Sequence, residues 1–365
     1  MIRGYAENGD VNRAITWLEK HPPPKRDQLL HYLDQGTLLH TAKRYEESNQ
    51  KFQQAEAYIE EQSRQIASKS AAVVGNDNLI PYHARNFEKP LIDLYEALNW
   101  LGMGNPKEAL IEVRQIDTRY AEHSKEEAPA YLQNAFIKFI SAAIWSANGK
   151  INDAYIDEKW LLKKGFQNEE LTAQGRRHCL ALGRSDCSKW KNKNRELPLN
   201  NHGQLVVVVS QGWVPLKTST EGKAGLQVFP LPTYAESFDV TSATVKIQGT
   251  SHPLTPFADM AKIVRDALKD EETEIIARAT ARFVTKTGAA VAVGTQVDED
   301  LGILLGLLLL TTNEADLRSW GTLPRSFQGT TISLPAGTHE LRLDGIRHEV
   351  EIRPGETTFI MLRTY

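Results

Sequence analysis

The connection GNDNLIPYHARNFEKP, which opens at Gly75, gathers side chains that could do chemistry. Asn76, Asp77, Tyr82, Arg85 and Glu88 bring two carboxylates, a phenol, an amide and a guanidinium close together in the chain. Aimed at one spot, they could grip a glycan or a peptide, or move protons on it. The same residues have a mechanical use. Asn76 or Asp77 can bond backbone N–H groups in an Asx-turn, and Asn86 can cap a helix starting at Phe87. Glu88 would then lie in the first turn, where the helix dipole favours a carboxylate. The mechanical use is the preferred one.

A second constellation, Glu314, Asp316, Arg318 and Trp320 in NEADLRSWGTLP, precedes the C-terminal strands. An Asp–Arg pair there can brace a junction; exposed beside Trp320 it could instead hold a partner segment. Bracing is again preferred. Cys179 and Cys187 flank a Gly-Arg-Ser turn and read equally well as a disulfide or as two thiols. His178 beside Cys179 supplies too few ligands for zinc, which takes about four. No metal and no cofactor is expected. HExxH, GxxxxGK[ST] and GxSxG are absent from the chain. Ser210 ends a buried apolar run but lacks the glycine spacing of a nucleophile elbow, so no catalytic residue is assigned and no enzyme is expected.

The elements that position these residues repeat. In YLDQGTLLHTAKRYEESNQKFQQAEAYI, the residues Tyr32, Gly36, Leu39, Tyr45, Ser48, Phe52 and Ala55 fall at tetratricopeptide (TPR) spacing. Small residues at Gly36 and Ser48 let two antiparallel helices approach, with Tyr45 and Phe52 filling the gap between them. The register recurs at Ala97, Trp100, Gly104 and Ala109, and at Ala142, Trp145, Gly149 and Ala154. A partial copy uses Tyr5, Gly9, Val11, Ala14 and Leu18. Lys43 replaces the turn glycine, and Glu158 stands where an apolar residue is usual. So little chain precedes Tyr5 that a leader is expected to be missing, either removed or lost to a misplaced start, with removal preferred.

After Pro198 the pattern changes. QLVVVVSQGWVPLK reads as a buried strand and a turn, with LQVFPLPTY and SATVKIQG as further strands. Helical spacing follows over 257–312, including an apolar hairpin at 288–310 with Gly302 and Gly306 in GxxxG spacing. Turn signals at Pro335-Ala336-Gly337 and Pro354-Gly355 separate the strands of 330–365, read as a small antiparallel β-sandwich-like unit. The expected fold is α+β: a TPR-like α-solenoid over 1–197, then a mixed domain over 198–365 with strands in 204–250.

With 365 residues and 41% hydrophobic content, the chain can bury sizeable cores. A net charge of −3 favours neither nucleic acid nor an anionic membrane surface. The runs LDQGTLLHTAKRYEESNQKFQQAE, NDNLIPYHARNFEKPLIDLYEALNWLGMGNPKEALIEVRQ and NEADLRSWGTLPRSFQGTTISLPAGTHELRL resemble a family of TPR-containing bacterial envelope lipoproteins of unknown function. The resemblance covers about Leu29 to Leu343. It implies a lipidated leader, an anchor at the periplasmic face of the outer membrane, and a tendency of the family to keep Asn76, Asp77, Tyr82 and Glu88. A cytoplasmic location is the alternative.

The expected function is a non-enzymatic envelope scaffold that binds a protein or peptide partner through a concave TPR surface, with contact to the membrane only through the lipid anchor. Two alternatives stand beside it. One is a glycan- or peptide-binding protein or enzyme using the Asn76–Glu88 loop. The other is a homo-oligomeric subunit of an envelope machine, assembled through the 288–310 hairpin.

Overall fold

The computed structural model describes residues 1–68, 80–123, 129–166, 168–190, 201–224, 227–236, 239–273, 275–277 and 314–365. The 288–310 hairpin, Asn76 and Asp77 lie outside these residues.

Helices α1 (Ile2–Glu7), α2 (Val11–Lys20), α3 (Gln28–Thr41), α4 (Tyr45–Ser68), α5 (Lys89–Gly102), α6 (Pro106–His123), α7 (Ala135–Ala147), α8 (Ile151–Lys163) and α9 (Glu169–Ala181) come first. They pack as successive antiparallel hairpins, α1 on α2, α3 on α4, α5 on α6 and α7 on α8. Each turn needs a left-handed residue to end its first helix. Gly9, Lys43, Gly104 and Gly149 supply it at φ 80, 60, 74 and 70°. Lys43 adopts this conformation in spite of its Cβ.

Close approach explains the small residues. A Cβ on Gly36 would lie 2.7 Å from the Phe52 ring, so α3 and α4 meet backbone to ring. Tyr45 does not fill the same gap. Its ring lies over Gly102 at the end of α5, sealing the seam to the next hairpin instead. Glu158, out of place by the repeat pattern, is buried but bonded to His178 Nδ1 at 3.0 Å. A shortened fifth hairpin, not apparent from the sequence, joins α9 to a 3-10 turn at Cys187–Lys189 through Gly183. The disulfide Cys179–Cys187 closes it, and Trp190 packs over Gly175.

Strands β1 (His202–Gln211), β7 (Ser326–Pro335), β6 (Thr255–Asp259) and β10 (Thr357–Thr364) form one sheet in the order β10-β1-β7-β6. A second sheet has the order β5-β4-β8-β9, from β4 (Thr244–Ile247), β5 (Thr250–Pro253), β8 (Gly337–Leu343) and β9 (Ile346–Ile352). β2 (Lys217–Ala224) and β3 (Gln227–Tyr234) pair as a separate ribbon. Side chains alternate across a strand. Leu205, Val207 and Val209 of β1 therefore face the second sheet, while Val206 and Val208 face the helices. That double burial is why the run is apolar at every position.

Three expectations are corrected here. β10 pairs with β1 in parallel, so the terminal unit is not wholly antiparallel. The Pro335-Ala336-Gly337 and Pro354-Gly355 turns do separate strands, each carrying the chain from one sheet to the other, so the terminal strands are split between two sheets and are not one unit. The within-sheet hairpins turn at Gln248-Gly249 and Asp344-Gly345, where all four φ are positive, as a two-residue primed turn requires. Finally, residues 257–259 belong to β6, and the helix that follows, α10, takes in 260–273 and 275–277 of the described residues. Asp259 starts that helix by accepting from Lys262 N at 3.0 Å.

One hydrophobic core runs through both halves. Phe327 of β7 stacks on Phe136 at 4.7 Å, and Phe257 of β6 stacks on Phe139 at 4.4 Å. The contacts to the first sheet come from the first helices of the hairpins, α5 to β10 and α7 to β6 and β7, and from α9 to β7. The inner faces of α5, α7 and α9 are thus covered by the chain's own strands.

Candidate functional site

The structure brings the two polar constellations of the sequence together. Arg318 Nη1 donates to Asp27 Oδ1 and to the backbone oxygen of Ile80, both at 2.9 Å. Its Nε and Nη2 hold Asp316 at 2.9 and 3.0 Å. The same guanidinium lies over the Tyr82 ring, 5.9 Å from its centroid. Residues near position 82 and near position 318 therefore form one cluster.

At its centre, Tyr82 donates its hydroxyl to Glu88, 2.7 Å from Oε1 and 2.9 Å from Oε2. The backbone N–H of Arg85 donates to Glu88 Oε2 at 2.9 Å. Asn86 is not the cap. The helix begins at Lys89 with Pro90 in its first turn, and Glu88 occupies the cap position with its carboxylate turned back onto Arg85 and Tyr82. Burial pushes the Glu88 carboxyl up from its usual range and the Tyr82 phenol well above its own. Arg85 reaches outward to the Tyr234 hydroxyl at 3.4 Å and to Glu271 at 3.4 Å.

Three members of this cluster carried no motif in the sequence: Tyr234 on β3, Glu271 on α10, and Lys217 at the start of β2. Lys217 is buried, and desolvation lowers its amine to about 7, helped by the nearby Arg85 charge and opposed by Asp316, Glu271 and Glu88. Its only signal was a lysine directly after the apolar run GWVPL.

Tyr82 and Glu88 are buried and spent on one another, so they present no ligand surface here. Trp320 is likewise buried, at 1% exposure, and donates its indole N–H to Thr37 Oγ1 at 3.0 Å. It is a wedge against Phe52 and Tyr95. Arg318 and Asp316 brace that wedge from the flank, and Glu314 is exposed. The physical reason is common to all of these residues. Where two halves of a chain meet, aromatic rings supply the buried area and charged groups must find partners.

A carboxyl cluster, Glu56, Asp93 and Glu96, lies on the outer side of α5 with ligand oxygens within 4.8 Å of one another. Arg119 already bonds Asp93 at 2.6 and 3.0 Å and Glu56 at 2.6 Å. Glu96 is pushed up to about 9 by burial and by its acidic neighbours, so it carries a proton at neutral pH. One guanidinium and the Glu96 proton offset two of the three carboxyl charges, and burial pushes the Asp93 carboxyl up as well.

Two cavities flank the helix–sheet junction, the first with the cluster's Tyr234 in its wall. One of about 220 Å³ sits between the β2–β3 ribbon and α10. Another of about 230 Å³ lies where α1 and the α3–α4 turn meet β10 and the β8–β9 hairpin. Among the described residues, no helix is long and apolar enough to cross a membrane.

No family model matches the chain, and no curated protein matches it. Among solved structures, the chain is similar to a Podosopora anserina kinesin light chain with nearly identical TPR-like repeats. That likeness has 15% identity and a TM-score of 0.35, over 52% of this chain and 87% of the other. A point variant of the same protein aligns at 16% identity with a TM-score of 0.34 and the same coverage.

Proposed function

We propose that the protein is a non-catalytic interaction scaffold of the bacterial envelope whose protein partner docks on the outer row of helices. The observation that carries this reading is the covering of the inner faces of α5, α7 and α9. TPR arrays ordinarily bind partners on the face made by their first helices, and here α5, α7 and α9 have spent that face on β6, β7 and β10. Among the described residues, the outer row is left for another molecule. Ile111 on α6 and Ile156 on α8 occupy the same repeat position, two residues after Ala109 and Ala154, and are 48% and 56% exposed. The disulfide supports placement outside the reducing cytosol. A lipid anchor to the outer membrane, as the resemblance implies, belongs to the same proposal.

The test is site-specific photo-crosslinking in living cells, with the probe at position 111 or 156. One discrete adduct, shared by both positions and lost in an Ile111→Glu/Ile156→Glu protein, is the expected result. Absence of adducts from both outer positions would sink the reading.

A further inference from the structure

We propose that the seam cavity between the helical array and the end of β10 binds a small organic monoanion, a carboxylate carried on a short apolar or aromatic body. The cavity holds about 230 Å³, below the roughly 300–1,000 Å³ of drug-sized ligand sites. Its ligand is therefore small.

The lining is lopsided in charge. His40, Lys43, His348 and Arg363 face it, and no aspartate or glutamate does, in a chain whose net charge is −3. Arg363 is the centre of the argument. Its Nη2 donates to the Gly212 oxygen at 2.7 Å, and its guanidinium lies over the Trp213 and Tyr365 rings at 4.6 and 5.0 Å. Its Nε is buried without a hydrogen-bond acceptor, and so is the neighbouring Thr364 Oγ1. Among the described residues no carboxylate pairs with Arg363, in contrast to Arg119, Arg318 and Arg325. Burying a cation without a counter-charge is costly, and ring faces compensate only in part. An anion in the cavity would supply the counter-charge that the Arg363 guanidinium lacks among the described residues.

The number of charges sets the valence. His40 Nδ1 lies 2.7 Å from Asn99 Oδ1, while the Asn99 amide nitrogen donates to Ser48 Oγ and Asn49 Oδ1. His40 must then donate from Nδ1, and burial lowers it to about 4, leaving it neutral at pH 7. Desolvation and Lys43 lower His348 as well. The field comes from Arg363 and the exposed Lys43, which suits one negative charge better than two. Tyr95, Leu343, Met361 and Leu362 supply the apolar walls for the ligand's body.

Calorimetric titration of the whole chain at neutral pH with benzoate, benzyl alcohol and inorganic phosphate tests the assignment. Benzoate should bind, with benzyl alcohol and phosphate each weaker by about tenfold or more. Arg363→Gln should lose benzoate binding. Because that variant also disturbs the Gly212 contact, Lys43→Gly is the companion. It removes a charge at a position whose φ of 60° suits glycine, so it should weaken benzoate severalfold while keeping or raising the melting temperature. No benzoate binding at millimolar concentration, equal binding of benzyl alcohol or phosphate, or unchanged affinity in a folded Lys43→Gly would each overturn the proposal.

Discussion

The indole N–H of Trp320 donates to the Thr37 hydroxyl at 3.0 Å across 283 positions of sequence. The ring lies 6.0 Å from Phe52 and 5.8 Å from Tyr95, centroid to centroid, so one side chain from the β half fills the space between α3, α4 and α5. Trp320→Ala should cost about 3–5 kcal/mol, read from the shift in denaturant midpoint. Trp320→Phe should cost less, because Thr37 keeps its bond to the Leu33 oxygen. A loss under about 1 kcal/mol for the alanine variant would show that the halves do not depend on this wedge.

Gly36 is the next test of packing. A methyl group there meets the Phe52 ring at 2.7 Å, and both α3 and α4 must shift to admit it. Gly36→Ala should destabilise by about 1–3 kcal/mol, against a helix-propensity gain of up to about 1 kcal/mol. Gly4→Ala in α1 is the control. Nothing lies within 4 Å of its Cβ, so it should be neutral or stabilising in the same denaturation assay.

Glu96 sets a pH dependence. Its folded pKa of about 9 lies above the unfolded value near 4.3. Between those values the folded chain holds a proton that the unfolded chain has released, so stability falls as pH rises through the window. The slope is at most about 1.4 kcal/mol per pH unit from this group. Lys217, lowered to about 7, has the opposite sign, with stability rising from there towards its unfolded pKa. Subtracting the profile of Glu96→Gln from that of the parent isolates the glutamate. A variant whose denaturant midpoint follows the parent at every pH would rule this account out.

The disulfide closes the shortened hairpin that holds Trp190 on Gly175. Removing it with Cys179→Ala/Cys187→Ala should cost about 2–3 kcal/mol by the loop-entropy argument. Amide exchange should show the loss as faster opening of α9 before the sheets respond. Uniform acceleration across the molecule would contradict a local role.

Much of the helical half was legible because repeat signals are local. Gly36, Ser48, Gly104 and Gly149 are chosen by contacts and turn geometry within one hairpin, and a short window of sequence records such contacts. β1 was legible for the same reason, since burial on both faces leaves no polar position between Leu205 and Val209. The candidate site was legible only in pieces. Tyr82, Glu88, Asp316 and Arg318 could be singled out by residue type, but their union depends on Arg318 reaching Ile80, 238 positions away. Tyr234 and Glu271 had no local pattern at all, and Lys217 only its place after GWVPL.

The sequence by itself determined the hairpin register, the twice-buried strand and the want of a known catalytic motif, because each follows from neighbours along the chain. Only the tertiary structure decided that β10 lies parallel to β1, that Trp320 points inward, and that the inner faces of α5, α7 and α9 are occupied by the chain's own strands. Those outcomes depend on which surfaces bury one another over long separations. Such pairing is won by total buried area and satisfied polar groups, and no single stretch of residues records it.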